Sequence, residues 1–383
     1  MPLQDEIIAN QSWIEEVWDH LTSKMPYAVQ KARENDYIPY TAQNGEWQEG
    51  PMDGICWWSN GFWPAAMWQM YLHTGDEIYK EEAIRAENAL DVALNDFERL
   101  SHDVGFLWLI TSGVNFRLTG SEQSRKRLLL AANLLAARFN PLGFIRAWNG
   151  GRAGWAIIDC MMNIPLLYWA SAYTGDPRYR KMATAHADTT QQFFVRPDGS
   201  VHHIVMFDPD TMHVLGTPAG QGYAPGSSWS RGQAWAIYGF ALSHIHTGKQ
   251  EYLDTAKRIA HYFIACVQED WVPRCDFRQP GEPDIRDSSA GVIAACGLLE
   301  LAGLVPEAES DLYAKAAIRL LQAADSACAD WRLSNPAILH RCTASYHNGD
   351  HHIPIIYGDY FFIEAMGKLK GEKLSFWQAA SLG

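Results

Sequence analysis

A chain that repeats Thr-Gly-x3-Tyr-x3-Ala reuses one local unit, and that limits its fold more than any other feature. The copies are Thr74-Gly75 with Tyr79 and Ala83, Thr174-Gly175 with Tyr179 and Ala183, and Thr247-Gly248 with Tyr252 and Ala256. Thr119-Gly120 is a copy without the Tyr, and Ala302-Gly303 with Tyr313 and Ala317 is a degenerate one. After the first copy, Tyr79, Ala83, Ala86, Leu90, Ala93 and Phe97 recur at steps of three and four, one face of a helix. Apolar helical runs also precede the Thr-Gly sites: Phe62 to Leu72, Gly105 to Phe116, Cys160 to Tyr173 and Gly232 to His246. The Gly is then expected to end the first helix in a left-handed turn, and the Tyr to pack the second helix back on the first. With an amino-terminal helix over Ile7 to Leu21 and a last one over Tyr357 to Leu369, the pattern predicts about six helical hairpins. Unequal hairpin lengths and the lack of a free polar cap favour closure into a ring. The expected fold is all-α, an (α/α)6 toroid, as a single domain over residues 1–383.

Unusual residues keep one position in this unit. Trp58, Asp103, Asp159 and Arg231 each lie 15 or 16 residues before the next Thr-Gly, roughly 24 Å of helix. Each therefore belongs at the start of a first helix, and all four converge on one rim if first helices form the inner layer. The same offset nominates Asp287-Ser288-Ser289. Asp159 lies between Ala156-Ile157-Ile158 and Cys160-Met161-Met162. An apolar niche penalises the charged carboxylate, so a raised pKa and a general-acid role are expected. A helix N-cap, or a buried Asp bonded to backbone amides, is the structural alternative. Asp103 has the same alternative, but as a pair the two carboxyls suggest one protonated and one ionised group. Arg231 offers a planar fork for a carboxylate or an ion pair with a surface acid. His102 and His203 either bind substrate or satisfy a polar contact. Among 16 Trp, Trp58, Trp148, Trp229 and Trp235 sit beside polar residues in Gly-containing segments, as platforms for sugar rings do.

Composition removes several other classes. With 31 Lys and Arg against 44 Asp and Glu, the net charge of −13 argues against nucleic acid or an anionic membrane as partner. The 48% apolar content rules out disorder. No clean apolar run reaches membrane-spanning length, since the nearest, Ser288 to Leu304, carries Glu300. Met1-Pro2-Leu3-Gln4-Asp5-Glu6 is unlike a signal peptide, and seven scattered Cys without a CxxC pair fit reduced thiols, so a cytoplasmic location is expected. His347-Asn348-Gly349-Asp350-His351-His352 lacks a metal-ligand spacing and reads as a polar loop. No phosphate-cradling or nucleophile-elbow motif occurs. Neither a cofactor nor a metal is expected, and either a monomer or a homodimer is compatible.

Several strings resemble the unsaturated glucuronyl hydrolases of glycoside hydrolase family 88. They are Trp58-Ser-Asn-Gly-Phe-Trp63, His102-Asp-Val-Gly-Phe106, Ile158-Asp-Cys-Met-Met-Asn-Ile-Pro-Leu-Leu167, Trp229-Ser-Arg-Gly-Gln-Ala-Trp235, Arg286-Asp-Ser-Ser-Ala290 and Gly358-Asp-Tyr360. The resemblance runs from about Trp57 to Leu369 and implies the toroid. It also implies a reaction on oligosaccharides left by polysaccharide lyases, whose non-reducing-end glucuronate carries a C4=C5 double bond. An acid protonates C4, water adds at C5, and the resulting hemiketal opens and releases the aglycone. By this resemblance Asp159 is the general acid and base and Asp103 the second carboxylate. Trp58, Phe62, His102, Trp148, His203, Gln221, Trp229, Arg231 and Trp235 would contact the unsaturated sugar. Asn60 stands where the family often has Asp. Gly220 and the His-rich loop replace the Arg and the Ser or Lys that accompany a preference for sulfated disaccharides. Rhamnogalacturonyl hydrolases share fold and chemistry, but their Gly-Arg-Gly-Asn-Gly-Trp motif differs from Ser230-Arg-Gly-Gln-Ala-Trp235. Epimerisation on a similar helical barrel, which calls for two facing His bases, and a non-catalytic glycan binder are the remaining alternatives.

Overall fold

The Thr-Gly turns set the architecture. In a computed structural model describing residues 2–50 and 54–378, Gly75, Gly120, Gly175 and Gly248 end their helices with φ between +69° and +72°. An L side chain rarely adopts that conformation, which accounts for glycine at each site. The threonine completes the turn: Thr74, Thr119, Thr174 and Thr247 each donate a hydroxyl to the carbonyl four residues back and accept the amide two residues on. Tyr79, Tyr179 and Tyr252 are buried, and the hydroxyls of Tyr179 and Tyr252 reach the preceding hairpin, at Asn133 and Asp188.

First helices form an inner layer: Phe62–Thr74, Val104–Trp108 with Ser112–Thr119, Pro165–Thr174, Ser230–Thr247, Ser288–Leu304 and Ile356–Leu369. Most are buried on every face; Ser230 through Ser243 has no exposed position. Around them lie Gln11–Arg33, Glu77–Ala89, Glu122–Ala136, Pro177–Phe193, Gln250–Val267 and Glu307–Cys328. These are amphipathic: Gln250–Val267 buries Tyr252, Ala256, Ile259, Phe263 and Val267 on one stripe. The ring closes where Ile356–Leu369 packs on Phe62–Thr74 and on Gln11–Arg33.

Several expectations need correction. The amino-terminal helix is two helices, Pro2–Ala9 and Gln11–Arg33. The run from Gly105 to Phe116 breaks at Leu109 to Thr111, and the run from Cys160 begins as a 3-10 turn, Ile158–Met162, that stops before Pro165. Ala302-Gly303 is not a left-handed turn: the helix continues to Leu304 and ends in extended Val305 before Pro306. The periodicity also gave no sign of a three-stranded antiparallel sheet of Trp155–Ile157, Ile204–Phe207 and Val214–Gly216, inserted between hairpins.

Candidate active site

The broken helix starts place polar groups where a continuous helix would bury backbone. Asp159 lies in the 3-10 turn, is 7% exposed, and neighbours buried Ile158, Cys160 and Met161. Its Oδ2 is buried with no hydrogen-bond partner among the described residues. Neither the N-cap nor the amide-bonded alternative therefore describes it. The inserted sheet sets its neighbour: Ile157 pairs with Ile204, the Ile158 amide donates to the His203 carbonyl at 3.0 Å, and His203 Nε2 comes within 3.6 Å of Asp159 Oδ2. The Gln221 amide, a fixed donor, lies 3.0 Å from His203 Nδ1, and the Ala219 carbonyl lies 3.1 Å away. These two contacts hold the ring with Nε2 facing Asp159.

Asp103 occupies the N-cap position of Val104–Trp108 but makes no capping bond. Its carboxylate instead accepts from Ser101 Oγ at 2.9 Å and Asn163 Nδ2 at 3.3 Å, and faces His102 Nε2 at 3.1 Å. His102 Nδ1 donates to the Ala147 carbonyl at 3.0 Å, which fixes the ring. Burial alone would lower the pKa of His102, but the Asp103 carboxylate and its hydrogen bond more than offset this and raise it above its ordinary value. Asn163 joins the two carboxyl-bearing turns, because the same Nδ2 also reaches the Asp159 carbonyl at 3.2 Å and its Oδ1 accepts from the Phe106 amide at 2.9 Å.

These groups border a cavity of about 780 Å³ lined by Trp58, His102, Asp103, Trp148, Asp159, His203 and Gln221, with Tyr40, Arg152, Trp155, Asp350 and Tyr357. That volume suits a sugar-sized ligand, since ligand pockets span on the order of 300–1,000 Å³. Trp58 stacks on Tyr357 with centroids 5.1 Å apart, and Trp148 stands edge-on to His102 at 6.1 Å. Seven of the eleven anticipated site residues thus share one wall.

Phe62, Trp229, Arg231 and Trp235 lie behind that wall. Arg231 is fully buried, and its fork is engaged within the protein: it donates to Asp287 at 2.5 Å and to the Thr343 and Ala344 carbonyls at 2.7 Å. Its guanidinium also sits 4.6 Å over Trp229 and 5.1 Å over Tyr357. Instead of presenting itself to a ligand, it pins the loop after Thr343, which Gln221 Nε2 also holds through the Ala344 carbonyl at 2.7 Å. Trp229 backs His203 with centroids 4.2 Å apart, while Phe62 and Trp235 pack on Phe106. The His-rich loop behaves as a polar loop: His347, His351 and His352 bond to Tyr223, Tyr346 and Arg286 backbone groups. Sequence reasoning did not find Tyr40, Arg152, Trp155, Asn163, Asp350 or Tyr357. Asn163 and Tyr357 had a signal, lying within or next to a family string, and Asp350 lies in the His347 to His352 segment that reads as a polar loop.

Residues 20–319 match the model of Glycosyl Hydrolase Family 88. The chain belongs to that family. It is 40% identical over 335 residues to the unsaturated glucuronyl hydrolase of Bacillus sp. strain GL1, covering 84% of this chain and 88% of that protein. It is 34% identical to the unsaturated chondroitin disaccharide hydrolase of Streptococcus pyogenes serotype M1, covering 94% and 93%. The crystal structure of the unsaturated glucuronyl hydrolase from Bacillus sp. GL1 superposes with a TM-score of 0.89 at 34% identity, covering 95% of this chain and 100% of that one. Family 88 membership makes the chain a glycoside hydrolase with the (α/α)6 toroid fold.

Proposed function

We propose that this family 88 hydrolase removes Δ4,5-unsaturated glucuronate from the non-reducing end of oligosaccharides, with Asp159 as the proton donor. One observation carries the assignment of the acid: Asp159 Oδ2 is buried, has no hydrogen-bond partner among the described residues, and borders a cavity of saccharide size. A general acid must keep an oxygen free for the reacting atom. The C4=C5 bond is an enol ether because C5 bears the ring oxygen. Asp159 gives its proton to C4, and positive charge develops at C5 and the ring oxygen. The Asp159 carboxylate then takes a proton from water as that water adds to C5. The resulting hemiketal opens to a C5 ketone, the aglycone leaves C1 as its alcohol, and one water is consumed. Asp103, held by Ser101, His102 and Asn163, adds negative charge that favours the cationic transition state. His102 and His203 both line the cavity, as an epimerase would want, but His102 is tied at both nitrogens by Ala147 and Asp103. We place the enzyme in the cytoplasm as one catalytic domain; the cytoplasmic reading is supported by the reduced thiols of Cys160, Cys266, Cys275, Cys296, Cys328 and Cys342.

Turnover in deuterium oxide tests the chemistry. The ultraviolet absorbance of the conjugated double bond should disappear, and early NMR spectra should show one deuterium delivered to a single face of C4. Release of the aglycone with C4 unlabelled would overturn the reading, because displacement at C1 leaves C4 untouched.

A further inference from the structure

The cavity wall carries three acids, Asp103, Asp159 and Asp350, on a protein of net charge −13. Among the described residues, the one Lys or Arg on that wall is Arg152. Its guanidinium lies 5.4 Å over Trp148 and 5.1 Å over Trp155, whose rings meet edge-on at 6.1 Å. The side chain is exposed, and no described carboxylate pairs with it. The loop that presents it is fixed at its base: Gly150 and Gly151 turn the chain with φ of +64° and +71°, the Trp155 amide donates to the Arg152 carbonyl at 3.1 Å, and the Ala147 amide donates to the Trp155 carbonyl at 2.8 Å. A guanidinium oriented by two indoles keeps its N–H edge free for an anion.

Depth indicates which part of a ligand it meets. Asp159, Asp103 and His102 are 7%, 9% and 1% exposed, so the reacting uronate belongs at the floor and the following sugar toward the mouth, where Arg152 is exposed. We infer that Arg152 is a specificity-determining residue that selects substrates whose aglycone carries an anionic group, a sulfate ester or a second carboxylate. This rests on the function proposed above. It also assigns anion recognition to a guanidinium other than Arg231, which is engaged by Asp287 and two carbonyls.

The test compares kcat/KM for unsaturated disaccharides with a neutral, a sulfated or a carboxylated aglycone, in the wild type and in Arg152→Gln and Arg152→Lys. The expected result is a wild-type preference for one or both anionic aglycones. Arg152→Gln should reduce that preference about five- to tenfold, mainly through KM, given a solvent-screened charge-assisted contact. Arg152→Lys should keep part of it, and added salt should narrow the wild-type preference toward that of the Gln variant. Whichever anionic arm moves identifies the group. An equal loss on all three substrates would mean that Arg152 only holds the two indoles, and an unchanged ratio would mean that it reads nothing; either overturns the inference. Calorimetric binding of the same three sugars to Asp159→Asn protein yields the ratio without turnover, so failure of the proposed function and failure of this inference remain separable.

Discussion

Asp159 and Asp103 differ in their hydrogen bonds, and their variants should differ accordingly. Asp159→Asn keeps the shape of the side chain in its niche but cannot donate a carboxyl proton. It should fold normally, with an unchanged denaturation midpoint, and lose about 10³-fold in kcat; retention of more than a tenth of wild-type activity would remove Asp159 from the role. Asp103→Asn keeps an acceptor for Ser101 but meets His102 without charge, so a smaller loss of about 10- to 100-fold is expected, with a displaced pH profile. His102 supplies the sign of the pH effect. Its pKa is raised on folding, against the effect of burial, by Asp103. The folded state therefore holds that proton more tightly than the unfolded chain, and the stability gained is complete below the ordinary value of 6.5. It disappears as pH rises through the higher folded value. In urea titrations, His102→Gln should cost more stability below pH 6.5 than in the alkaline range, and an equal cost at both would refute the linkage.

At the scale of elements, two glycines that look alike in sequence do different work. Gly75 ends its helix at φ +69° with open space around it, so Gly75→Ala meets only backbone strain, about 1 kcal/mol, and should lower the melting temperature without changing kcat. Gly239 lies inside Ser230–Thr247, where a Cβ would stand 2.5 Å from Met161 Cβ and 2.9 Å from the Met161 carbonyl oxygen. Met161 belongs to the turn that carries Asp159. Gly239→Ala should therefore cost about 1–3 kcal/mol and also reduce kcat by shifting that turn, an effect measurable by pairing denaturation with kinetics. The hairpin starts were legible because the offset from Thr-Gly to Asp103, Asp159 and Arg231 is a helix length, and helix length is written in periodicity. The direction in which Arg231 points was not, since it depends on Asp287 and on the Thr343 and Ala344 carbonyls far away in sequence. The sheet that delivers His203 was missed for a related reason: Trp155–Ile157 and Ile204–Phe207 are too short to show alternation, and they pair across a whole hairpin.

The ring as a whole has two unlike ends. At one end the interrupted helix starts leave the cavity; at the other, the chain after the last inner helix returns and fills the barrel. Trp377 is fully buried there, parallel to Phe361 at 6.0 Å, edge-on to Phe106 at 6.0 Å, and bonded through Nε1 to Glu364 at 3.0 Å. Arg117 secures the returning segment by donating to the Ser375, Phe376 and Gln378 carbonyls. Ring closure was readable from the repeats, whereas this plug was not, because Leu374 to Gln378 has no helical period and its aromatic pair looks in sequence like any terminal segment. Phe106 links the ends, since it contacts Trp377 below and Trp58, on the cavity wall, at 5.5 Å above. Removing the plug therefore has a graded consequence. Trp377→Ala leaves a cavity and an unpartnered Glu364 carboxylate oxygen, and should cost about 3–5 kcal/mol in urea denaturation. While the protein remains folded, the site changes only indirectly, through Phe106 and through Phe361 and Phe62, so kcat/KM should stay within a few fold of wild type at low temperature and fall steeply on warming. A variant as stable as wild type would show that the returning segment merely covers the ring, and an immediate loss of activity in a still-folded protein would show that the floor of the cavity depends on it directly.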